Sequence, residues 1–276
     1  MKSTSKAILL AGIIAGSLLT GSGAIAGVKN TKHNLGSTGT GANNMDGTGE
    51  VCVFCHTPHG SDTAAAVPLW NKKIDDTGFT TYDTLGTSTL DGGIAKVGSV
   101  SVACLSCHDG TQAMDVMINQ PGSGGYNAAG ARLAGTWTGA GVDGLMPAGI
   151  ANLAKDLTND HPIGIQYAGG GYTNAGGTPS TAADKDFKAP TKVTINSTPV
   201  WYVETGKNAG REKTDLPLYT RNTTDWQGGA LAGENEPFVE CASCHDPHVE
   251  DVAGSNPTFL RIANTNSDVC LACHTK

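Results

Sequence analysis

Large side chains are scarce in this 276-residue chain, where aromatic residues make up only 5% (five Phe, four Trp and six Tyr). Charge is thin too, at 16% Asp, Glu, Lys and Arg, which excludes the charge-rich disordered class. Acidic residues outnumber basic ones by 25 to 18, and a net charge of -7 argues against a nucleic-acid binder. What is abundant is glycine, with 38 residues. Such a chain loses much backbone entropy on folding and has little apolar bulk to offset it. Something other than side chains is therefore expected to hold it together.

Residues 1–26 read as a signal peptide that is cleaved. Lys2 and Lys6 form a positive start, Ala7 to Leu19 an apolar stretch, and Ala24-Ile25-Ala26 an A-x-A cleavage site. An uncleaved anchor is the alternative, since the apolar stretch is nearly long enough to span a bilayer. No later run is apolar enough to do so, and stable membrane insertion is not expected. Loss of Lys2 and Lys6 takes the net charge from -7 to -9.

All eight cysteines fall into four copies of one pattern. These are Cys52-Val-Phe-Cys55-His56, Cys104-Leu-Ser-Cys107-His108, Cys241-Ala-Ser-Cys244-His245 and Cys270-Leu-Ala-Cys273-His274. C-x-x-C-H is the c-type haem attachment signature. Two thiols three positions apart reach the two vinyl groups on one porphyrin edge, and the following His ligates the iron from below. Disulfides, zinc-thiolate sites and thioredoxin-like pairs would all use cysteine, but none requires a His after every second Cys. Four haem c groups are expected. Their proximal ligands would be His56, His108, His245 and His274.

Four histidines remain: His33, His59, His161 and His248. Four haems need four distal ligands, so the count predicts four bis-histidine irons. Met45, Met114, Met117 and Met146 are the competing distal candidates, though methionine is more often packing. His56-Thr-Pro-His59 and His245-Asp-Pro-His248 each place a second His three positions after a proximal one. So short a link, stiffened by Pro58 or Pro247, cannot reach the opposite face of the same haem. His59 and His248 should therefore serve haems other than the ones their own motifs hold, bringing haems close together. Asp160 could orient the ring of His161, or simply make a turn.

The motifs are unevenly spaced, and a long Gly-, Ala-, Thr- and Asn-rich segment covers about residues 110–235. It reads as wrapping, with one strand or hairpin near Lys192 to Glu204. Short helices are expected at the second and fourth motifs, capped by Ser101 and by Ser267 or Asp268. The fold class that follows is a multihaem cytochrome c, mostly coil, with few strands and a core formed by four haems. Residues 27–276 would be one such domain, which would not fold without haem. Asn196-Ser-Thr and Asn222-Thr-Thr match glycosylation sequons.

On these motifs, with Asp160-His161-Pro162 and Ser267-Asp-Val-Cys270, the sequence resembles the tetrahaem c-type outer-surface cytochromes of metal-reducing bacteria. More closely, it resembles the tetrahaem member of their filament-forming (OmcE/OmcS-type) nanowire group. The resemblance implies head-to-tail homopolymers in which a histidine of one subunit ligates a haem of the next. By position that residue is His59, with His33 the runner-up, and the haem on Cys241 and Cys244 is the first choice of acceptor. The implied location is the cell surface or beyond, with the periplasm as the alternative. The implied partners are redox proteins and extracellular acceptors such as metal oxides. A monomeric shuttle is the main rival. A multihaem reductase would need an open iron position, and no catalytic residue is assigned.

Overall fold

The computed structural model describes residues 27–141, 143–172, 181–206, 210–221, 236–250 and 258–276. The signal-peptide reading and the Asn222 sequon lie outside them. Among the described residues the chain forms three helices and nine strands in three sheets, all paired antiparallel. This corrects the expectation of a mostly coiled chain with few strands.

Strands β1 (Asn44–Met45) and β4 (Trp137–Thr138) pair as one small sheet. A second joins β2 (Val116–Asn119) to β3 (Tyr126–Arg132), with a register shift between Met117 and Asn119. The third has five strands in the order β5-β9-β8-β7-β6. They are β5 (Ile165–Gln166), β9 (Pro237–Val239), β8 (Leu216–Thr220), β7 (Thr198–Val203) and β6 (Thr191–Ile195).

The β6–β7 hairpin falls where alternating Val193 and Ile195, followed by Val200-Trp201-Tyr202-Val203, predicts it. Its two-residue turn is Asn196-Ser197, with φ of 49° and 63°. Both residues lie in the left-handed region that a tight hairpin requires, and asparagine tolerates it best among non-glycine residues. Strands β5, β8 and β9 escape the sequence pattern because they are short and largely buried, which removes alternation.

All three helices carry cysteine motifs: α1 (Ser101–His108), α2 (Cys241–Cys244) and α3 (Asp268–Cys273). The first motif is a turn, closed by the Cys55 and His56 amides on the Cys52 carbonyl at 3.2 and 2.8 Å. Neither expected serine cap forms a cap hydrogen bond. Ser101 turns inward to Glu240, and Ser267 sits in the left-handed region at φ 66°. Helix α2 instead opens on a reciprocal cap between Glu240 and Ser243.

Three side-chain clusters form the core, so it is not built of cofactor alone. Each meets a motif. Leu35, Met45, Val53, Phe54, Met114 and Met117 pack around Cys55 and Cys107. Trp70, Val97, Val102 and Leu105 form the second cluster, which Cys55 also touches. Tyr167, Tyr172, Trp201, Val203, Leu216 and Leu218 form the third, against Ala272, Val269 and Cys273 of α3. The few aromatics are thus concentrated rather than spread. Tyr172 and Trp201 meet edge to face at 6.2 Å, as do Tyr167 and Phe187 at 5.2 Å.

Glycine also has a use the composition does not reveal. A Cβ at Gly47 would fall 2.1 Å from the Ala134 carbonyl, and one at Gly139 (φ 86°) 2.0 Å from that of Ala42. Here glycine lets backbone approach backbone at the two ends of the β1–β4 ribbon.

Candidate functional site

The four motifs are neighbours in space in their sequence order. Cys55 and Cys107 share a cluster, which joins the first motif to the second. Cys104 and Cys241 lie within hydrogen-bond reach of each other, which pushes the Cys104 thiol up and the Cys241 thiol down. Burial, with Cys241 and then Cys270 of α3 nearby, pushes Cys244 up to about 11. Burial and the adjacent Cys244 push Cys273 up to about 12. Cys55 reaches about 12 chiefly through burial. Cys52 and Cys270 are exposed.

The junction between the second and third motifs is a buried polar clamp. Ser101, at the start of α1, donates its hydroxyl to Glu240 and accepts the Cys241 amide at 2.9 Å. Arg221, at the end of β8, donates Nε to the same carboxylate at 2.8 Å and Nη2 to the Lys96 carbonyl at 2.9 Å. Burial raises the Glu240 carboxyl above its ordinary value despite Arg221 and Ser101. Sequence reasoning missed this clamp. The one local signal was a Glu three residues before a Ser at the head of the third motif.

Histidines far apart in the chain are brought close together. The His56 and His248 ring centroids lie 6.2 Å apart with planes 9° from parallel. His33 and His108 lie 6.1 Å apart at 86°. Six of the eight imidazoles have Nδ1 engaged. His33 meets the Pro247 carbonyl at 3.2 Å, His56 that of Pro68 at 2.8 Å, and His108 that of Ala151 at 2.6 Å. His161 meets Pro162 at 3.0 Å, His245 meets Thr258 at 2.8 Å, and His248 meets the Asp246 carboxylate at 3.0 Å. A proton held on Nδ1 leaves the Nε2 lone pair for a metal.

Burial first, with His108 adding to it, pushes His33 down to about 4. Burial also lowers His108 and His161, and in His161 the nearby His274 adds to the effect. These rings are neutral near pH 7, the state that ligates. His274 itself packs on Phe187, with centroids 4.3 Å apart.

Four rings stand outside the two close pairs: His59, His161, His245 and His274. His59 is exposed, and among the described residues its ring makes no hydrogen bond or ring contact; its backbone carbonyl accepts from Thr57 and Asn119. His245 has its Nδ1 partner and, like His161 and His274, forms neither close ring pair; it lies near enough to His108 to help lower that ring, as His274 does for His161.

The competing ligands find other employment. Met45, Met114 and Met117 are buried packing residues, and Met146 packs beside them with its sulfur 3.9 Å from the Asn43 amide. Asp160 does not orient His161. Among the described residues its buried Oδ2 has no partner, and its carbonyl accepts the Tyr82 hydroxyl.

The donors fit haem iron. An imidazole centroid lies roughly 1.1 Å from Nε2 and a metal–imidazole bond is roughly 2.0 Å, so two rings on opposite sides of one ion have centroids roughly 6 Å apart. Both close pairs have that separation.

The family model for a doubled CXXCH motif matches residues 235–276, which hold the third and fourth motifs. That match points to a multihaem c-type cytochrome with covalently bound haem, and to an electron-carrier role. No curated protein matches the chain. Among the described residues no helix is long and apolar enough to cross a membrane.

Proposed function

We propose that this chain is an exported tetrahaem cytochrome that passes electrons along four bis-histidine haems and polymerises head to tail. The observation that carries the reading is the pairing of histidines at an iron-sized centroid spacing, at two sites, with each Nδ1 engaged by another partner. In the first site His56 and His248 would hold the haem iron, and in the second His108 and His33. His274 and His161 would hold that of the fourth.

When bound, each haem supplies a one-electron iron couple. The chain does the rest. Motif helices and turns set where each porphyrin is anchored. The Pro68, Ala151 and Pro247 carbonyls and the Asp246 carboxylate fix which ring nitrogen carries the proton. The clusters beside Cys55, Cys107 and Cys273 would shield those attachment cysteines from water. The order of contacts, first to second to third to fourth motif, makes the row continuous.

His59 and His245 complete the scheme between subunits. The exposed His59 of one copy would supply the distal ligand to the Cys241/Cys244 haem of the next. A contact of that kind does not close on itself and so propagates as a filament. The end uses would be cell-surface transfer to redox partners or to acceptors outside the cell, including metal oxides.

The exposed His245, which is in neither close ring pair, also supports a second reading, a reductase working at an open third haem. One set of experiments separates them. Alkaline pyridine spectra should give four haems per chain, and electron microscopy should show filaments. His59→Ala should give dissociated particles with one high-spin haem per chain. Monomers that bind carbon monoxide stoichiometrically before any mutation would overturn the filament and favour the reductase. Two haems or fewer would overturn the tetrahaem reading.

A further inference from the structure

The tripeptide Asp246-Pro247-His248 touches three sites at once. It follows His245, its Pro247 carbonyl accepts from His33 at 3.2 Å, and its His248 ring faces His56. The two close histidine pairs are therefore buttressed by adjacent residues, but in different ways.

Among the four rings of these pairs, three give Nδ1–H to neutral carbonyls: His56 to Pro68, His108 to Ala151 and His33 to Pro247. Only His248 gives Nδ1–H directly to a carboxylate, Asp246 Oδ1 at 3.0 Å, whereas Glu250 and Asp109 act on His33 and His108 without that hydrogen bond. The same oxygen also accepts the His248 amide at 3.0 Å, which fixes the side chain. The other oxygen, Oδ2, faces Arg261 Nη1 at 3.4 Å, a longer contact than the one to the ring. A carboxylate on Nδ1 draws the proton outward and makes Nε2 a stronger donor. A stronger axial donor stabilises ferric over ferrous iron and lowers the reduction potential.

The ring planes differ as well. They are near-parallel in the His56–His248 pair and near-perpendicular in the His33–His108 pair. Phe259 stacks on His33 at 4.2 Å, from a left-handed backbone at φ 61°. Backbone held in that region by a bulky residue is uncommon and points to a constraint on its side chain.

Resting on the tetrahaem reading, we propose that Asp246 is a positioning residue that acts through His248 to make the Cys52/Cys55 haem the lower-potential member of this adjacent pair. Electrons then favour the Cys104/Cys107 haem over its neighbour, which gives the start of the row a direction.

The test is EPR-monitored potentiometry on the full-length holoprotein, after pyridine spectra have established four haems per chain. Parallel axial rings give a rhombic low-spin ferric signal, and perpendicular rings give a highly anisotropic one. The rhombic component assigned to the first haem should vanish on reduction at a lower potential than the anisotropic component of the second. Asp246→Asn keeps an oxygen acceptor for His248 and removes only the charge. It should shift the rhombic midpoint upward and leave the anisotropic midpoint in place. Phe259→Leu should broaden or convert the anisotropic signal alone, which identifies that component as the second haem.

With four low-spin haems present, an unmoved rhombic midpoint in Asp246→Asn overturns this proposal and leaves the function intact. A rhombic component that titrates above the anisotropic one overturns it too. Fewer than four haems overturns the function itself, and this proposal with it.

Discussion

Removing Arg221 should cost far more than removing Arg221 and the Glu240 charge together. Both side chains are almost wholly buried, at 4% and 0% exposure, and Arg221 Nε lies 2.8 Å from Glu240 Oε1. A buried pair gains little net energy over an apolar replacement, because desolvation offsets the attraction. Breaking it on one side leaves a carboxylate held only by Ser101 and the α2 cap. The expected loss for Arg221→Met is about 3–5 kcal/mol. In the double variant Arg221→Met with Glu240→Gln, the amide oxygen still serves Ser101 and the cap. Its loss should fall to about 1 kcal/mol, the scale of an ordinary hydrogen bond.

The pH dependence adds an independent check. The Glu240 carboxyl is raised above its ordinary 4.5 in the fold. A raised carboxyl contributes stability below its unfolded value and loses that contribution as pH rises through its folded value. Without Arg221 the rise is larger, so the Arg221→Met deficit should shrink as pH falls from 7 toward 4.5. Urea unfolding of the holoprotein, followed by far-UV circular dichroism at each pH, reads this directly. A deficit under about 1 kcal/mol, or a double variant as unstable as the single, would refute the buried-charge argument.

Ser197→Gly should stabilise the β6–β7 hairpin by about 1 kcal/mol, because Ser197 occupies φ 63°, where an L-residue is strained. That is a rise of about 2–4 °C in melting temperature for a domain of this size. Asp75 is held down to about 2, first by the Thr77 hydroxyl, then by its amide and by Lys155. Its contribution is present above the ordinary 3.8 and fades as pH falls through about 2. The side chain is 46% exposed, so Asp75→Asn should cost under about 1 kcal/mol at neutral pH and nothing measurable at pH 2.

Much of the chemistry was legible without a structure because it is local. A C-x-x-C-H run declares its attachment function through spacing alone, and four runs with four spare histidines suggest a ligand set. The hairpin near Lys192 to Glu204 was legible too, since alternating Val193 and Ile195 are followed by the β-branched and aromatic run Val200 to Val203. Strands β5, β8 and β9 were not, because short buried strands look like coil. Low aromatic content also misled: it counts side chains but cannot show Tyr167, Tyr172, Phe187 and Trp201 gathered beside one motif.

Amino-acid order by itself determined which residues can hold haem and which nitrogen-bearing side chains remain to ligate. Only tertiary structure decided that His248 lies beside His56 and His33 beside His108, and that the exposed His59 ring has no contact among the described residues. Those choices depend on where Pro68, Ala151, Pro247 and Asp246 place their oxygens, and on how the Glu240 clamp joins α1 to α2. Such contacts link residues distant in the chain. They are fixed by how sheets and clusters pack, for which local sequence carries no period.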